Sequence, residues 1–251
     1  MRFDNQVAIV TGAKSGIGYA TAERMAAEGA RVVLADVQDA QLETDRLTRQ
    51  GAEACFIQTD VSSESQVAAL VDKTLATYGR LDILINNAGV ELAKRIPDTT
   101  VDEWDRLMGI NLKGVFLCCK AVIPVMQHQH KGVIVNIASE LGLVGGAEIA
   151  AYSASKGGVV QLTKSLAIDH ATDGIRVNCV APGPVATALL EDIIESSTNP
   201  ELERQNVVDN TLLKRFGQPD EIANVIVFLA SDEASYMTGT IVAVDGGWTA
   251  Q

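Results

Sequence analysis

Basic residues are scarce in this chain relative to acidic ones. The 251 residues include 20 lysines and arginines against 32 aspartates and glutamates, for a formal net charge of -12. Such a surface repels phosphate backbones and anionic lipid, so we expect neither nucleic acid nor a membrane as a partner. No run of consecutive apolar residues approaches the roughly 18 that cross a bilayer. The apolar stretch behind Asp4 is too short for a signal peptide, and we expect a cytoplasmic location.

Cysteine and histidine are also few. The four cysteines, none in a C-x-x-C spacing, are Cys55, Cys118, Cys119 and Cys179. Their apolar neighbours indicate buried free thiols. With only three histidines in the chain, we expect no metal site.

The remaining composition is that of an ordinary folded domain. Apolar residues make up 47% and charged residues 21% of the chain, and we expect residues 1–251 to form one domain. Seven short runs rich in Val and Ile alternate with six main helical patterns, which is a βαβ rhythm. Continuous apolar strands require helices on both faces of the sheet. The sequence therefore predicts an α/β fold with a Rossmann-type, doubly wound, seven-stranded parallel sheet.

One polar segment interrupts this rhythm. Residues 187–212 lie between the sixth strand and a helix near 219–230. Long insertions at the carboxyl end of a strand often cover an active site, so we predict a substrate lid here.

A glycine-rich turn follows the first strand. Gly12, Gly16 and Gly18 lead into a helix in the stretch TGAKSGIG, where the backbone can approach a pyrophosphate and the helix N-terminus can stabilise it. The spacing differs from G-x-G-x-x-G because position 21 is Thr. By itself such a turn is equally typical of a plain strand-to-helix connection.

The acid that ends the second strand indicates that the glycine-rich turn binds a dinucleotide. Asp36 lies 18 residues beyond Gly18, where a carboxylate accepts hydrogen bonds from the ribose hydroxyls of NAD and repels the extra phosphate of NADP. Lys14 favours NADP, but a flexible lysine moves aside more easily than a strand-end carboxylate. We therefore predict NAD, with NADP less favoured.

Together these residues resemble the short-chain dehydrogenase/reductase family, in its shorter single-domain type. The resemblance covers essentially the whole chain. Its motifs, in family order, are Thr11-Gly12-x-x-x-Gly16-Ile17-Gly18, Asp60-Val61, Asn86-Asn87-Ala88-Gly89, Asn111, Ser139, Tyr152-x-x-x-Lys156, and Pro182-Gly183 with Val185 and Thr187.

The resemblance implies an oxidoreductase that acts on an alcohol or carbonyl with a nicotinamide cofactor, usually as a homotetramer. It implies four catalytic residues, Asn111, Ser139, Tyr152 and Lys156. Residues expected to bind the cofactor are Gly12, Ser15, Gly16, Ile17, Gly18, Asp36, Asp60, Val61, Asn87, Ala88, Gly89, Tyr152, Lys156, Pro182, Gly183, Val185 and Thr187.

Within that family pattern, Tyr152 is the acid/base and Lys156 tunes it. A phenol has a pKa of about 10, and lowering it by about 3 takes roughly 4 kcal/mol. An ammonium about 4 to 6 Å away at an effective dielectric constant of about 20 supplies roughly 3 to 4 kcal/mol, and an oxidised nicotinamide adds to it. Alone, a Tyr and a Lys four apart would be an ordinary solvated helix face. Ser139 would orient the substrate oxygen.

The substrate is less well defined by the sequence. Residues expected around it are Glu91, Glu140, Leu141, Ile149 and Leu189. These acidic groups and the acidic lid favour an uncharged small molecule: a hydrophobic secondary alcohol, a polyol or a sugar. Glu91 resembles an acidic position of sugar dehydrogenases in the family, although a solvent-facing loop carboxylate explains it as well.

Two alternatives stay open. A 3-oxoacyl thioester reductase would use NADPH and basic docking residues, which Asp36 and the acidic balance disfavour. A catalytically silent cofactor-binding scaffold would not need Ser139, Tyr152, Lys156 and Asn111 together.

Overall fold

The computed structural model describes all 251 residues. Its seven strands are β1 (Val7–Thr11), β2 (Arg31–Asp36), β3 (Ala54–Gln58), β4 (Ile83–Asn86), β5 (Gly132–Ile137), β6 (Ile175–Pro182) and β7 (Ile241–Val244). All neighbouring pairs are parallel, in the order β3-β2-β1-β4-β5-β6-β7. The predicted doubly wound sheet is confirmed.

Nine α-helices connect and cover the strands. They are α1 (Gly16–Ala27), α2 (Gln41–Arg49), α3 (Glu64–Tyr78), α4 (Val101–Met108), α5 (Gly114–Gln129), α6 (Ala150–His170), α7 (Ala188–Ser196), α8 (Pro200–Asp209) and α9 (Pro219–Ala230). Sequence signals mark several boundaries. Thr100 and Glu103 form a capping box at the start of α4, and α3 ends at Gly79 in the left-handed conformation.

Alternate residues of the central strands face two separate cores. Val7 and Ile9 of β1 pack in a core with buried residues of α3, α5 and α6. Ala8 and Val10 pack on the other face with buried residues of α1 and α9. Side chains alternate across a strand, so an apolar strand buries both of its faces when helices cover both. This accounts for the near-continuous apolar runs.

The topology positions the site. β1 pairs with β2 on one side and with β4 on the other, so the order of strands reverses there. In sheets of this kind ligands bind outside the carboxyl ends of the strands at the reversal. The loops after β1, β2, β4 and β5 meet at that edge.

The helical region between β4 and β5 is not a single regular helix. α4 and α5 are joined by a π-helical turn over Gly109–Lys113.

The two helices and this turn run from Val101 to Gln129 and contain a stretch of mean hydropathy 1.5. By length and composition this region is long and apolar enough to cross a membrane. A count of uninterrupted apolar residues does not predict this. The evidence for a span is weak, because core helices pass the same test, and α5 buries Leu117, Val122 and Met126 in the core.

The segment predicted as a lid, residues 187–212, contains α7 and α8. Arg204 of α8 contacts Glu191 of α7, with Nη1 3.0 Å from Oε1. Its guanidinium also lies 5.7 Å from the ring centre of Phe216. These contacts tie the two helices and the following loop together.

The cysteines agree with the expected free thiols in part. All four are free, and Cys118, Cys119 and Cys179 are buried, but Cys55 is only partly buried. Cys55 lies on β3, one of the two edge strands of the sheet, where one neighbouring strand is missing.

Candidate active site

Close packing fixes the glycine-rich turn between β1 and α1. A side chain at Gly12, whose φ is +63°, would place Cβ 2.8 Å from Cα of Ala88. A Cβ at Gly18 would lie 2.1 Å from the Gly12 carbonyl oxygen. Asn87 holds the same turn, because its Nδ2 donates to the carbonyl oxygens of Thr11 and Gly12, both at 3.0 Å. Glycine is required here by contact between loops as well as by backbone angle.

The N-terminus of α1 fits an anionic ligand. Ser15 precedes α1 and makes no side-chain hydrogen bond to its first turn. The first N-H groups of a helix lack partners within the helix, so those of Gly16, Ile17 and Gly18 are the donors this end offers. A shallow glycine cradle in front of such donors suits the pyrophosphate of a dinucleotide.

Asp36 ends β2 in a fixed orientation beside this turn. One carboxylate oxygen accepts the backbone N-H of Lys14 at 3.0 Å, and the other accepts that of Gln38 at 2.9 Å. The Lys14 contact ties the carboxylate to the glycine-rich loop itself. A carboxylate held this way keeps lone pairs free for hydroxyl donors.

The remaining positions predicted for the cofactor line the same edge. Val61 is buried against α5, where a Cβ at Gly114 would meet it at 2.8 Å. The Asp60 carboxylate makes a hydrogen bond within its own loop, because its Oδ1 accepts from the Ser62 hydroxyl at 2.7 Å. A Cβ at Gly89 would lie 3.4 Å from both Asn111 Oδ1 and Lys156 Nζ, which places this loop between the predicted cofactor and catalytic residues.

The predicted cofactor residues that follow β6 are also at this edge. Pro182 ends the strand, and a Cβ at Gly183 would lie 2.6 Å from Cα of Asp245. Val185 is buried and pairs with Gly217 in an isolated β-bridge. Thr187 caps α7, accepting the Leu190 N-H at 3.4 Å, and its methyl group would lie 3.1 Å from a Cβ at Gly16. The start of the predicted lid therefore touches the glycine-rich turn.

Ser139, Tyr152 and Lys156 come together although they lie on two elements. Ser139 follows β5, and the other two residues lie in the first turns of α6. Their exposed fractions are 5%, 8% and 5%. The ammonium nitrogen of Lys156 lies 5.7 Å from the centre of the Tyr152 ring and donates to the carbonyl oxygen of Ile137 at 3.0 Å. The pair predicted from its spacing is thus a buried one.

Asn111 lies in the π-helical turn and is completely buried. Its Nδ2 donates to the Val90 carbonyl oxygen at 2.8 Å and to the Ser155 hydroxyl at 3.1 Å, while its Oδ1 accepts the Val90 N-H at 2.8 Å. Asn111 thereby fixes the loop after β4 to α6. Single π-helical turns inside α-helices are frequent at functional sites.

The electrostatics of Tyr152 differ from the sequence-based expectation. Burial raises the pKa of the Tyr152 phenol above its usual range, and the charges of Glu91 and Glu140 add to this effect. Burial also lowers the pKa of Lys156 to about 8, against the opposing influence of Cys179 and the two glutamates. The expected lowering of the phenol pKa is wrong for the chain's own residues. The estimate from one Tyr-Lys pair omitted desolvation and two nearby carboxylates.

Glu140 is the most constrained of the residues predicted for the substrate. It is 6% exposed, and its Oε2 accepts the Ser139 hydroxyl at 2.5 Å. Burial raises its pKa to about 7, with a further contribution from the charge of Glu91 and opposition from the Ser139 hydrogen bond. Burial likewise raises the pKa of Glu91 to about 7, against the charge of Lys156.

An apolar cluster surrounds the phenol. Ile149 and Leu107 pack with Tyr152, and Val90, Leu92 and Leu141 pack against them. Of the apolar residues predicted for the substrate, Ile149 and Leu141 belong to this cluster. Leu189 does not: it lies on α7 and is 44% exposed.

Several residues that build the site were given no role from the sequence. Thr11 accepts the N-H groups of Asn87 and Ala88, at 3.0 and 3.1 Å, so it joins the loops after β1 and β4. The sequence motif includes Thr11 but does not assign it this role. Val90 and Leu92 flank Glu91 and could have been predicted as site residues. Ser155 carries no such signal, because its role depends on Asn111, 44 positions away.

The chain is similar over most of its length to a known protein family. A family model described as enoyl-(acyl carrier protein) reductase matches residues 12–249. The chain belongs to the short-chain dehydrogenase/reductase family. Members of this family are oxidoreductases with a nicotinamide cofactor, so the chain is a dehydrogenase/reductase.

Similar members of the short-chain dehydrogenase/reductase family differ in substrate. Cyclopentanol dehydrogenase of Comamonas testosteroni is 43% identical over 251 residues, covering 99% of each chain. The 3-oxoacyl-(acyl-carrier-protein) reductase of Thermotoga maritima is 40% identical over 252 residues, covering 98% of this chain and 99% of its own. The crystal structure of levodione reductase superposes with a TM-score of 0.95 at 40% identity, covering 99% of both chains.

Proposed function

We propose that this protein is an NAD-dependent dehydrogenase that interconverts an uncharged secondary alcohol and its carbonyl compound. The observation that carries the proposal is the burial of Ser139, Tyr152 and Lys156 together, with Lys156 beside the loop after β4 that also contacts the glycine-rich turn. Desolvating an ammonium and a phenol costs free energy, and a cofactor-binding scaffold would gain nothing from it. This argues against a non-catalytic protein.

Tyr152 handles the proton in this scheme. During oxidation its phenolic oxygen takes the hydroxyl proton of the alcohol while the hydrogen on the carbinol carbon leaves as hydride; during reduction it returns a proton to the developing alkoxide. The bound nicotinamide accepts or supplies the hydride. Lys156, anchored on the Ile137 carbonyl oxygen, keeps a positive charge beside the phenol, and Ser139 orients the substrate oxygen.

The preference for NAD rests on Asp36. The carboxylate is held by two backbone N-H groups, so it cannot turn away from a ribose phosphate without losing both hydrogen bonds. The side chain of Lys14 makes no hydrogen bond or ion pair, and only its backbone N-H contacts Asp36. A fixed negative charge at the ribose favours NAD over NADP.

The surroundings of Tyr152 support an uncharged substrate. The apolar cluster suits a hydrocarbon skeleton, while the neighbouring Glu91 and Glu140 disfavour an anion. A relative at 43% identity is named for cyclopentanol, an uncharged secondary alcohol. We include polyols and sugars in the class, because Glu91 could accept a second hydroxyl.

The second candidate is an NADPH-dependent 3-oxoacyl thioester reductase. The Thermotoga maritima relative carries that name at 40% identity over nearly all of both chains. Asp36 and the lid disfavour it here. The acidic residues of α7 and α8, set against a single arginine, are Glu191, Asp192, Glu195, Glu201, Glu203 and Asp209.

We also propose that the protein is a cytoplasmic homotetramer that acts away from membranes. Phe116 of α5 is 47% exposed and Ile168 of α6 is 79% exposed. A shallow groove between these helices is lined by Ile123, Leu162 and Leu166. A second copy of the chain would cover this face. Light scattering after size exclusion tests the assembly, and a monomer at micromolar concentration would contradict it.

The first test of the activity follows nicotinamide absorbance. Purified protein is offered NAD or NADP with secondary alcohols, polyols, sugars and hydroxyacyl thioesters, in parallel with Tyr152→Phe. We expect turnover with NAD and an uncharged alcohol, reduced at least about 10²-fold in the variant. Turnover restricted to NADP and a thioester would favour the second candidate, and unchanged turnover of Tyr152→Phe would contradict the mechanism.

A further inference from the structure

The hydrogen bonds of Ser139 limit what its hydroxyl can do for a substrate. The hydroxyl has one proton, and that proton is donated to Oε2 of Glu140 at 2.5 Å. Its oxygen also accepts the backbone N-H of Leu141 at 3.2 Å. A hydroxyl offers one donor and two acceptor positions. In this arrangement Ser139 has one lone pair left and no proton to offer.

A reacting carbonyl needs a hydrogen-bond donor at its oxygen. Negative charge develops on the substrate oxygen in the transition state, and donors aimed at that oxygen stabilise it. Because the same transition state is crossed in both directions, the Ser139 proton is wanted at the substrate oxygen in oxidation as well as in reduction. The ionised carboxylate of Glu140 competes for that proton.

We propose that Glu140 is a positioning residue that controls the hydrogen-bond polarity of Ser139. When Glu140 is neutral, its own carboxyl proton can be donated to Ser139, and the Ser139 proton turns to the substrate oxygen. When Glu140 is ionised, it withholds the Ser139 proton. This inference rests on the proposed dehydrogenase function, within which it assigns a regulatory role to a residue that need not touch the substrate.

The surroundings of Glu140 make this switch available near neutral pH. Glu140 lies in the short turn after β5 that packs on α6. The charged or titratable groups facing it are Glu91, from the loop after β4, and Tyr152 and Lys156, from α6. Burial and the charge of Glu91 favour the neutral form, and the Ser139 hydrogen bond favours the ionised form.

The kinetic test compares the pH dependence of carbonyl reduction in the wild type, Glu140→Leu and Glu140→Gln. Leu cannot accept the Ser139 proton, and Gln keeps the size without the charge. We expect wild-type kcat/KM to fall by about 10²-fold above neutral pH as the Ser139 donor is lost, and both variants to fall less. In the wild type, alcohol oxidation should correspondingly stop rising with pH.

Two other carboxylates serve as comparisons. Glu148 lies in the same loop but is exposed, and we expect Glu148→Gln to keep the wild-type profile. Glu91→Gln should move the fall to lower pH without removing it, because the charge of Glu91 favours neutral Glu140. The proposal would be overturned if the pH profiles of kcat/KM coincide for the wild type, Glu140→Leu and Glu140→Gln. It would also be overturned if kcat/KM no longer falls with pH in Glu91→Gln but still falls in the Glu140 variants.

A second measurement does not depend on turnover. The titration of Glu140 is followed by carbon NMR of labelled glutamate carboxyls, assigned with Glu140→Gln. We expect Ser139→Ala to raise the midpoint, because the carboxylate loses its donor; an unmoved midpoint would overturn the proposal. Absent turnover in the wild type would contradict the proposed function, while this titration would still show whether Glu140 holds the Ser139 proton.

Discussion

Replacing Gly18 by Ala has two opposing effects on stability, one from helix propensity and one from steric overlap. Gly18 lies in the first turn of α1, and alanine in a helix is favoured over glycine by about 1 kcal/mol. Helix propensity alone therefore predicts stabilisation. The surroundings predict the reverse, since the new Cβ would lie 2.1 Å from the Gly12 carbonyl oxygen and 2.5 Å from Asn87 Nδ2.

The magnitude decides between them. Relieving the contact moves the Gly12 backbone by about 1 Å, against the two hydrogen bonds from Asn87. Weakening these bonds costs about 1 kcal/mol each, and overpacking costs about 1–3 kcal/mol. After the propensity gain, the variant should be less stable by about 2–4 kcal/mol. For a chain of this size that lowers Tm by roughly 5–15 °C.

Thermal unfolding by circular dichroism and NADH fluorescence titration measure the effect. We expect a lower Tm and NADH binding weakened at least about tenfold, because the displaced turn no longer presents its N-H groups to the pyrophosphate. Gly145→Ala is the matched control: a Cβ there has no atom within 4 Å, and Tm should change little. An unchanged or higher Tm for Gly18→Ala would refute the reasoning.

Three further predictions address charge. Asp36→Ala should weaken NAD binding by about 10- to 100-fold through loss of a charge-assisted hydrogen bond and improve NADP binding, measured by titration with Asp39→Asn as a control; unchanged selectivity would remove Asp36 from cofactor choice. If the substrate is a polyol or sugar, Glu91→Gln should raise its KM, and an unchanged KM would exclude Glu91 from substrate binding. Burial raises the pKa of Glu140 from the usual 4.5 to about 7, so the native state holds this proton where the unfolded chain releases it, and this contribution to stability declines as pH rises through that window. In urea unfolding, the free energy of unfolding of Glu140→Gln should therefore rise relative to that of the wild type between pH 5 and 8, by up to the order of 3 kcal/mol. If the difference in free energy between the two proteins is the same at every pH, Glu140 does not titrate in this range.

Much of the fold was predictable because it depends on local pattern. Apolar runs of Val and Ile repeat with helical segments between them, and this order yields a parallel sheet once crossovers keep one hand. The cofactor edge was predictable for the same reason, since Gly12 and Asp36 both follow apolar strands, and parallel strands end at one edge. The π-helical turn around Asn111 was missed, because nothing in its composition distinguishes it from a regular helix.

The sequence by itself determined the architecture, the glycine cradle and the spacing of Tyr152 and Lys156, because these follow from periodicity and from residues close together in the chain. Only the tertiary structure decided the environment of the phenol. The loop after β4, the turn after β5 and the start of α6 bring the partly buried Glu91 together with the buried Glu140 and Tyr152. Desolvation and charge act through space, so the direction of the Tyr152 pKa shift depends on contacts that no local spacing encodes.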